Sequence, residues 1–124
     1  MKERKLGQLK TPVSALGYGA MSFSDFYGPT DDEKSHAILK RCLDLGINHI
    51  DTSNVYGLGM SEKRIGSYLA KQGSRAQDFF KIATKVGITS KPDGTRYFDN
   101  SLAHIEGEVD KSLERLGIEQ VELL

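Results

Sequence analysis

The stretch Ile38-Leu39-Lys40-Arg41-Cys42-Leu43-Asp44-Leu45-Gly46-Ile47-Asn48-His49-Ile50-Asp51 changes hydrophobic rhythm at Gly46. Before it, Ile38, Cys42 and Leu45 recur at helical spacing; after it, Ile47 to Asp51 has the length and composition of a buried strand. The joint returns later in the chain. Leu116-Gly117-Ile118, then Val121-Glu122, repeats Leu45-Gly46-Ile47, then Ile50-Asp51. A helix closed by glycine and followed at once by a strand is therefore used twice.

Working outward, the first helix spans Asp31 to Leu45, opened by a capping-box pattern at Thr30-Asp31-Asp32-Glu33 with acids in its first turn. A second is expected from Glu62 to about Gln72, with Ser61 as N-cap and Gly73 as stop. A third runs from about Leu102 to Leu116, its stripe made by Leu102, Ile105, Val109, Leu113 and Leu116 and its end marked by Gly117. Strands are expected at Val13 to Tyr18, Ile47 to Asp51, Lys81 to Val86 and Gln120 to Leu124. Strand and helix alternate, which calls for parallel strands with helical crossovers, because antiparallel hairpins need no helix in each connection. Arg4 to Thr11, containing Leu6-Gly7-Gln8-Leu9, suits a small N-terminal β-hairpin that Pro12 separates from the first strand. Lys91-Pro92-Asp93-Gly94 marks a tight turn after the third strand.

Composition excludes several function classes. The 124 residues are 38% hydrophobic, and Lys+Arg and Asp+Glu number 17 each, so no excess of basic charge invites nucleic acid. The charged start at Met1 to Lys5 is followed by no apolar leader segment, and no run approaches the roughly 18 apolar residues of a membrane span. A cytoplasmic protein is expected. Cys42, the one cysteine, falls on an apolar helix face and reads as core filler. His36, His49 and His104 lack the spacing of a metal cluster, so no metal is expected.

The most informative motif is His49-Ile50-Asp51-Thr52-Ser53-Asn54-Val55-Tyr56-Gly57-Leu58-Gly59-Met60-Ser61-Glu62, followed by Ile82-Ala83-Thr84-Lys85-Val86-Gly87 and by Val109-Asp110-Lys111-Ser112-Leu113-Glu114-Arg115-Leu116-Gly117. In these residues, and over essentially its whole length, the chain resembles the aldo/keto reductase superfamily. The resemblance implies a (β/α)8 TIM barrel of which residues 1–124 supply about the first half, as the N-terminal part of one barrel domain. It also implies NADPH-dependent reduction of aldehydes or ketones to alcohols. Matched position by position, it assigns catalytic roles to Asp51 at the end of the second barrel strand, Tyr56 in the loop after it, and Lys85 at the end of the third. The tetrad's histidine lies just past the fourth strand in the family, a few positions beyond Leu124, and none of the three histidines here stands in its place.

The residue types suit that chemistry. Hydride addition to a carbonyl creates an alkoxide that a general acid protonates as it forms. A tyrosine phenol ordinarily has a pKa of about 10 and needs its phenolate stabilised. An ammonium within about 4 to 6 Å supplies that stabilisation. A carboxylate keeps the ammonium charged and aimed. Strand-end positions are the catalytic face of such barrels. Taken singly, an Asp at a strand end forms turns, a Tyr beside glycine packs on the surface and a strand-end Lys is solvated. Their joint order and spacing favour the site.

Gly17-Tyr18-Gly19-Ala20-Met21-Ser22 does not fit a dinucleotide fingerprint, which requires Gly or Ala where Ser22 stands. The resemblance instead implies that Gly19, Ala20, Met21 and Asp51 line the nicotinamide end of NADP(H); the alternative is that Gly19 serves close packing in the barrel. Phe23, Phe26 and Tyr27 cluster after the first strand, where Phe23 and Tyr27 are candidates for contact with a small carbonyl substrate, or else pack within their own loop. Two other readings stand beside the enzyme. One is a non-catalytic, cofactor-sensing module similar to potassium-channel β subunits. The other is an inactive half barrel, whose exposed strand edges would favour self-association.

Overall fold

The computed structural model describes residues 1–8, 12–91 and 93–124. A short antiparallel pair comes first, β1 (Glu3–Arg4) against β2 (Val13–Ser14). The return arm of the expected hairpin is thus Val13–Ser14, and its tip at Leu9 to Thr11 lies outside the described residues. The run expected as one strand from Val13 to Tyr18 is divided. Ser14 Oγ donates to Leu16 O at 2.6 Å, bending the chain, and β3 (Gly17–Gly19) begins afresh beyond the bend.

Strand β3 is followed by a 3-10 turn (Ala20–Ser24) and then by helix α1 (Asp32–Leu45). Asp31 caps α1 by accepting the Lys34 backbone N–H, so the cap falls one residue after the expected Thr30. Gly46 ends it at φ 74°, a left-handed conformation that glycine adopts without steric cost. Strand β4 (His49–Asp51) leads into α2 (Met60–Gln72), a short α3 (Ser74–Phe79), β5 (Lys81–Ala83), an antiparallel pair β6 (Ile88–Ser90) and β7 (Arg96–Phe98), and α4 (Leu102–Leu116). The turn expected at Lys91 to Gly94 lies within this pair, with Gly94 N donating to Lys91 O at 2.9 Å; Pro92 is outside the described residues.

The strands β3, β4 and β5 form a parallel sheet in that order, joined by helical crossovers as the alternation predicts. Leu123 continues it beside Ala83 through a single parallel bridge, so the expected fourth strand is present only as that contact. Its register puts Gly17, His49 and Lys81 at one end and Gly19, Asp51 and Ala83 side by side at the other.

Helices α1, α2 and α4 cover the sheet, and Leu39, Ile50, Ile65, Leu69, Ile82 and Leu116 meet in a core that includes Tyr68 and Phe80. Each such side chain contributes about 1.5–3 kcal/mol by leaving water. Leu39 and Cys42 make the core face of α1, whereas the expected Leu45 is exposed; on α4, Leu102 is likewise exposed. Burial pushes the Cys42 thiol above its ordinary pKa. Helices α2 and α4 pack so closely that a Cβ on Gly66 would sit 2.2 Å from the Arg115 carbonyl oxygen. No helix among the described residues is long and apolar enough to cross a membrane.

Candidate active site

The register of the parallel sheet determines what meets at its C-terminal edge. Asp51 ends β4, and Lys85 follows β5 by two residues. Thr52 N donates to Ala83 O at 2.9 Å and Asn54 N to Lys85 O at 3.2 Å, so the two chain ends stay paired past the strands. From Ser53 to Ser61 the loop is wound by successive turns, with Tyr56 N donating to Ser53 O and Ser61 N to Tyr56 O. Gly57 is required within it: φ is 61°, and a Cβ there would lie 2.9 Å from Ser24 Cβ.

This winding returns Tyr56 to Lys85. The ammonium of Lys85 has three N–H donors, and three acceptors surround it: Asp51 Oδ2 at 2.8 Å, Thr52 O at 2.7 Å and Tyr56 Oη at 3.3 Å. Its Nζ also lies 5.0 Å from the centre of the Tyr56 ring. Because Lys85 donates to the phenol oxygen, the phenol's own proton is free to point elsewhere. Asp51 and Lys85 are each a little under half exposed, so this ion pair contributes little to stability, about 0–1 kcal/mol.

Behind these residues, buried polar contacts anchor both strand ends to the first turn of α2. Thr52 Oγ1 and Ser61 Oγ are 2.8 Å apart, and Ser61 donates to Ala20 O at 2.8 Å. Thr84 Oγ1 donates to Glu62 Oε1 at 2.6 Å, and Arg115 Nε donates to Glu62 Oε2 at 2.6 Å. The expected N-cap role of Ser61 is thus corrected: α2 starts at Met60 after Gly59, and the Ser61 hydroxyl holds strands instead. Asn54, whose Nδ2 donates to Glu108 Oε2 at 3.0 Å, ties the Tyr56 loop to α4. Asn54, Glu62 and Arg115 carry no local sequence signal of these contacts, because their partners lie 22 to 54 residues away.

Around the phenol lies a cavity of about 280 Å³ lined by Tyr56, Met21, Phe26, Val55, Leu58 and Arg96, with Ser24 and Gly57. Met21 is where a cofactor-facing residue is expected. Gly19 has an ordinary backbone conformation (φ −84°, ψ 111°), and among the described residues nothing lies within 4 Å of where its Cβ would be. Packing against the described residues does not account for the glycine. Ala20, by contrast, has no exposed surface, so its side chain faces the core rather than a ligand.

The aromatic cluster divides. Phe23 has no exposed surface and packs 5.3 Å from the Tyr18 ring, which corrects its reading as a substrate contact. Tyr27 is 73% exposed and stacks edge-on against Phe26, facing a separate groove with Pro29 and Ile38. Phe26 is the aromatic residue that shares the cavity with Tyr56.

The histidines lie elsewhere. His36 Nε2 contacts Ser67 Oγ at 2.8 Å, His104 Nδ1 faces Asp99 at 3.9 Å, and His49 stands at the opposite end of β4 from Asp51. Among the described residues no group of three His, Cys, Asp or Glu is placed to hold a metal.

Comparison with known proteins identifies the family. The model of the aldo/keto reductase family matches residues 15–124. An NADP(+) aldo-keto reductase of Schizosaccharomyces pombe (yakc) is 37% identical over 121 residues, covering 97% of this chain and 34% of that protein. A D-threo-aldose 1-dehydrogenase of a Pseudomonas species is 31% identical, over 90% of this chain and 39% of its own length. Among solved structures, the holo form of aldo-keto reductase AKR11C1 from Bacillus halodurans superposes with a TM-score of 0.82 at 36% identity, covering 99% of this chain and 40% of that one. The chain thus spans well under half the length of these relatives, and its sheet corresponds to the N-terminal part of a (β/α)8 barrel. It belongs to the aldo/keto reductase family.

Proposed function

We propose that this chain supplies the proton-donating half of an NADPH-dependent carbonyl reductase, in a polypeptide of its relatives' full length, and that the substrate is an aldehyde or ketone. The observation that carries the reading is the three-way contact of Lys85 Nζ with Asp51, Thr52 O and Tyr56 Oη. Open space at Gly19, beside Asp51 in the sheet register, supports close approach of a flat ligand at the same edge. Gly19, Met21 and Asp51 would hold the nicotinamide end of the cofactor. When bound, the cofactor would supply the hydride for the carbonyl carbon.

This chain's residues then manage the proton. Tyr56 donates its phenolic hydrogen to the carbonyl oxygen as negative charge grows there, so the oxygen never carries a full alkoxide charge. The resulting phenolate lies 3.3 Å from an ammonium, whose Coulomb attraction stabilises it. Asp51, 2.8 Å from that ammonium, holds Lys85 directed at the phenol. Solvent returns a proton to Tyr56 after the alcohol leaves. Val55, Leu58, Met21 and Phe26 give the substrate an apolar wall.

The test is NADPH consumption by the full-length protein with simple aldehydes. Turnover is expected, and Tyr56→Phe should reduce kcat by about 10²- to 10⁴-fold. Undiminished turnover in Tyr56→Phe would reject the phenol as the acid.

A further inference from the structure

We infer that Arg96 makes this site select carbonyl substrates that carry an anionic group, a carboxylate or phosphate ester, at the end remote from the reacting carbon. The inference rests on the carbonyl-reductase reading above and specifies its substrate class. Arg96 opens β7, directly across the hairpin from Ser90, and this register brings it to the wall of the cavity that holds Tyr56. Among the described residues it makes no ion pair and its side chain donates no hydrogen bond, although other arginines of the chain, Arg64 and Arg115, are paired with acids. The residues outside the description, Leu9, Lys10, Thr11 and Pro92, include no acid that could neutralise it.

A guanidinium stays charged at any working pH and presents a planar fork of donors that fits two oxygens of one anion. Arg96 is exposed on the hairpin and has no acidic partner among the described residues, so its fork is open to an anion at the cavity wall. The rest of the wall determines what lies between. Met21, Phe26, Val55 and Leu58 offer no charge, so a short apolar linker fits between a carbonyl at Tyr56 and an anion at Arg96. A cavity of about 280 Å³ accommodates a small molecule of this kind. Lys85 does not compete for the anion, since its three donors are already engaged.

The experiment compares 4-oxobutanoate with its neutral methyl ester, and glyceraldehyde 3-phosphate with glyceraldehyde, as substrates of the full-length protein with saturating NADPH. The expected result is a KM at least about tenfold lower for one or both anionic members, since charge-assisted hydrogen bonds exceed neutral ones by that order. The two pairs separate carboxylate from phosphate. In Arg96→Ala the KM ratio within the preferred pair should fall toward one, and Arg96→Lys should keep part of it, as a point charge replaces the fork. Turnover of the neutral members without any anionic preference, or a preference that survives in Arg96→Ala, would overturn the role of Arg96 and leave the reductase reading standing. No turnover of any of the four would overturn both.

Discussion

The carboxylate of Glu62, with no exposed surface, receives Arg115 Nε at 2.6 Å, joining the first turn of α2 to the last turn of α4. Its other oxygen takes the hydroxyl of Thr84, the residue before Lys85. A buried charge pair of this kind adds little net stability over an apolar pair, yet breaking it strands the remaining charge. Glu62→Ala should therefore destabilise the protein by about 3–5 kcal/mol, read as a lower denaturant midpoint at unchanged slope. A loss below about 1 kcal/mol would mean that the pair is solvated.

Gly66 makes a second, opposite test of the same helix contact. In an isolated helix, Ala in place of Gly gains up to about 1 kcal/mol. Here the new methyl would meet the backbone oxygens of Arg115 and Leu116 at 2.2 and 2.9 Å, which no side-chain rotation relieves. Gly66→Ala should lower Tm despite its better helix propensity, at a net cost of about 1–3 kcal/mol. A raised Tm would show that α2 and α4 can move apart.

Glu108 links the Tyr56 loop to α4 and should make that link sensitive to acid. Its carboxyl is held below its ordinary pKa chiefly by the hydrogen bond from Lys111, with desolvation opposing and the bond from Asn54 adding. A depressed folded pKa contributes stability that is present above the unfolded value, about 4.3, and is lost as pH falls through the folded value. The stability difference between wild type and Glu108→Gln should therefore shrink as pH is lowered below about 4. A difference that stays constant through that range would remove Glu108 from the acid response.

The parts legible in the sequence are those where local chemistry and tertiary use coincide. Gly46 and Gly117 end their helices in the left-handed conformation that their positions predict, and the strands between helices are parallel as alternation requires. Ser61 misleads because a serine before a helical run caps it locally, whereas this hydroxyl is taken by Thr52 and the carbonyl of Ala20. Helix α3 and the β6–β7 pair give no signal because they are too short for a hydrophobic period, and β7 is exposed throughout. At the site, Asp51, Tyr56 and Lys85 are named by motif and meet in space. Phe23 turns into the core and Phe26 lines the cavity, because the 3-10 turn that buries Phe23 ends at Asp25, in the left-handed region at φ 62°, and composition does not say which aromatic precedes that break. Arg96 could be found only through the fold, which brings a distant hairpin to the Tyr56 cavity.

The central claim is that the Lys85 ammonium enables Tyr56 to give up its proton, and the kcat of Lys85→Met in the full-length protein, compared with wild type at equal NADPH occupancy, tests it most directly. Methionine keeps much of the length and bulk of the lysine side chain while removing its charge and donors. The expected result is a fall in kcat of at least about 10²-fold with cofactor binding retained. A kcat within about twofold of wild type, smaller than one charge-assisted hydrogen bond is worth, would contradict the account.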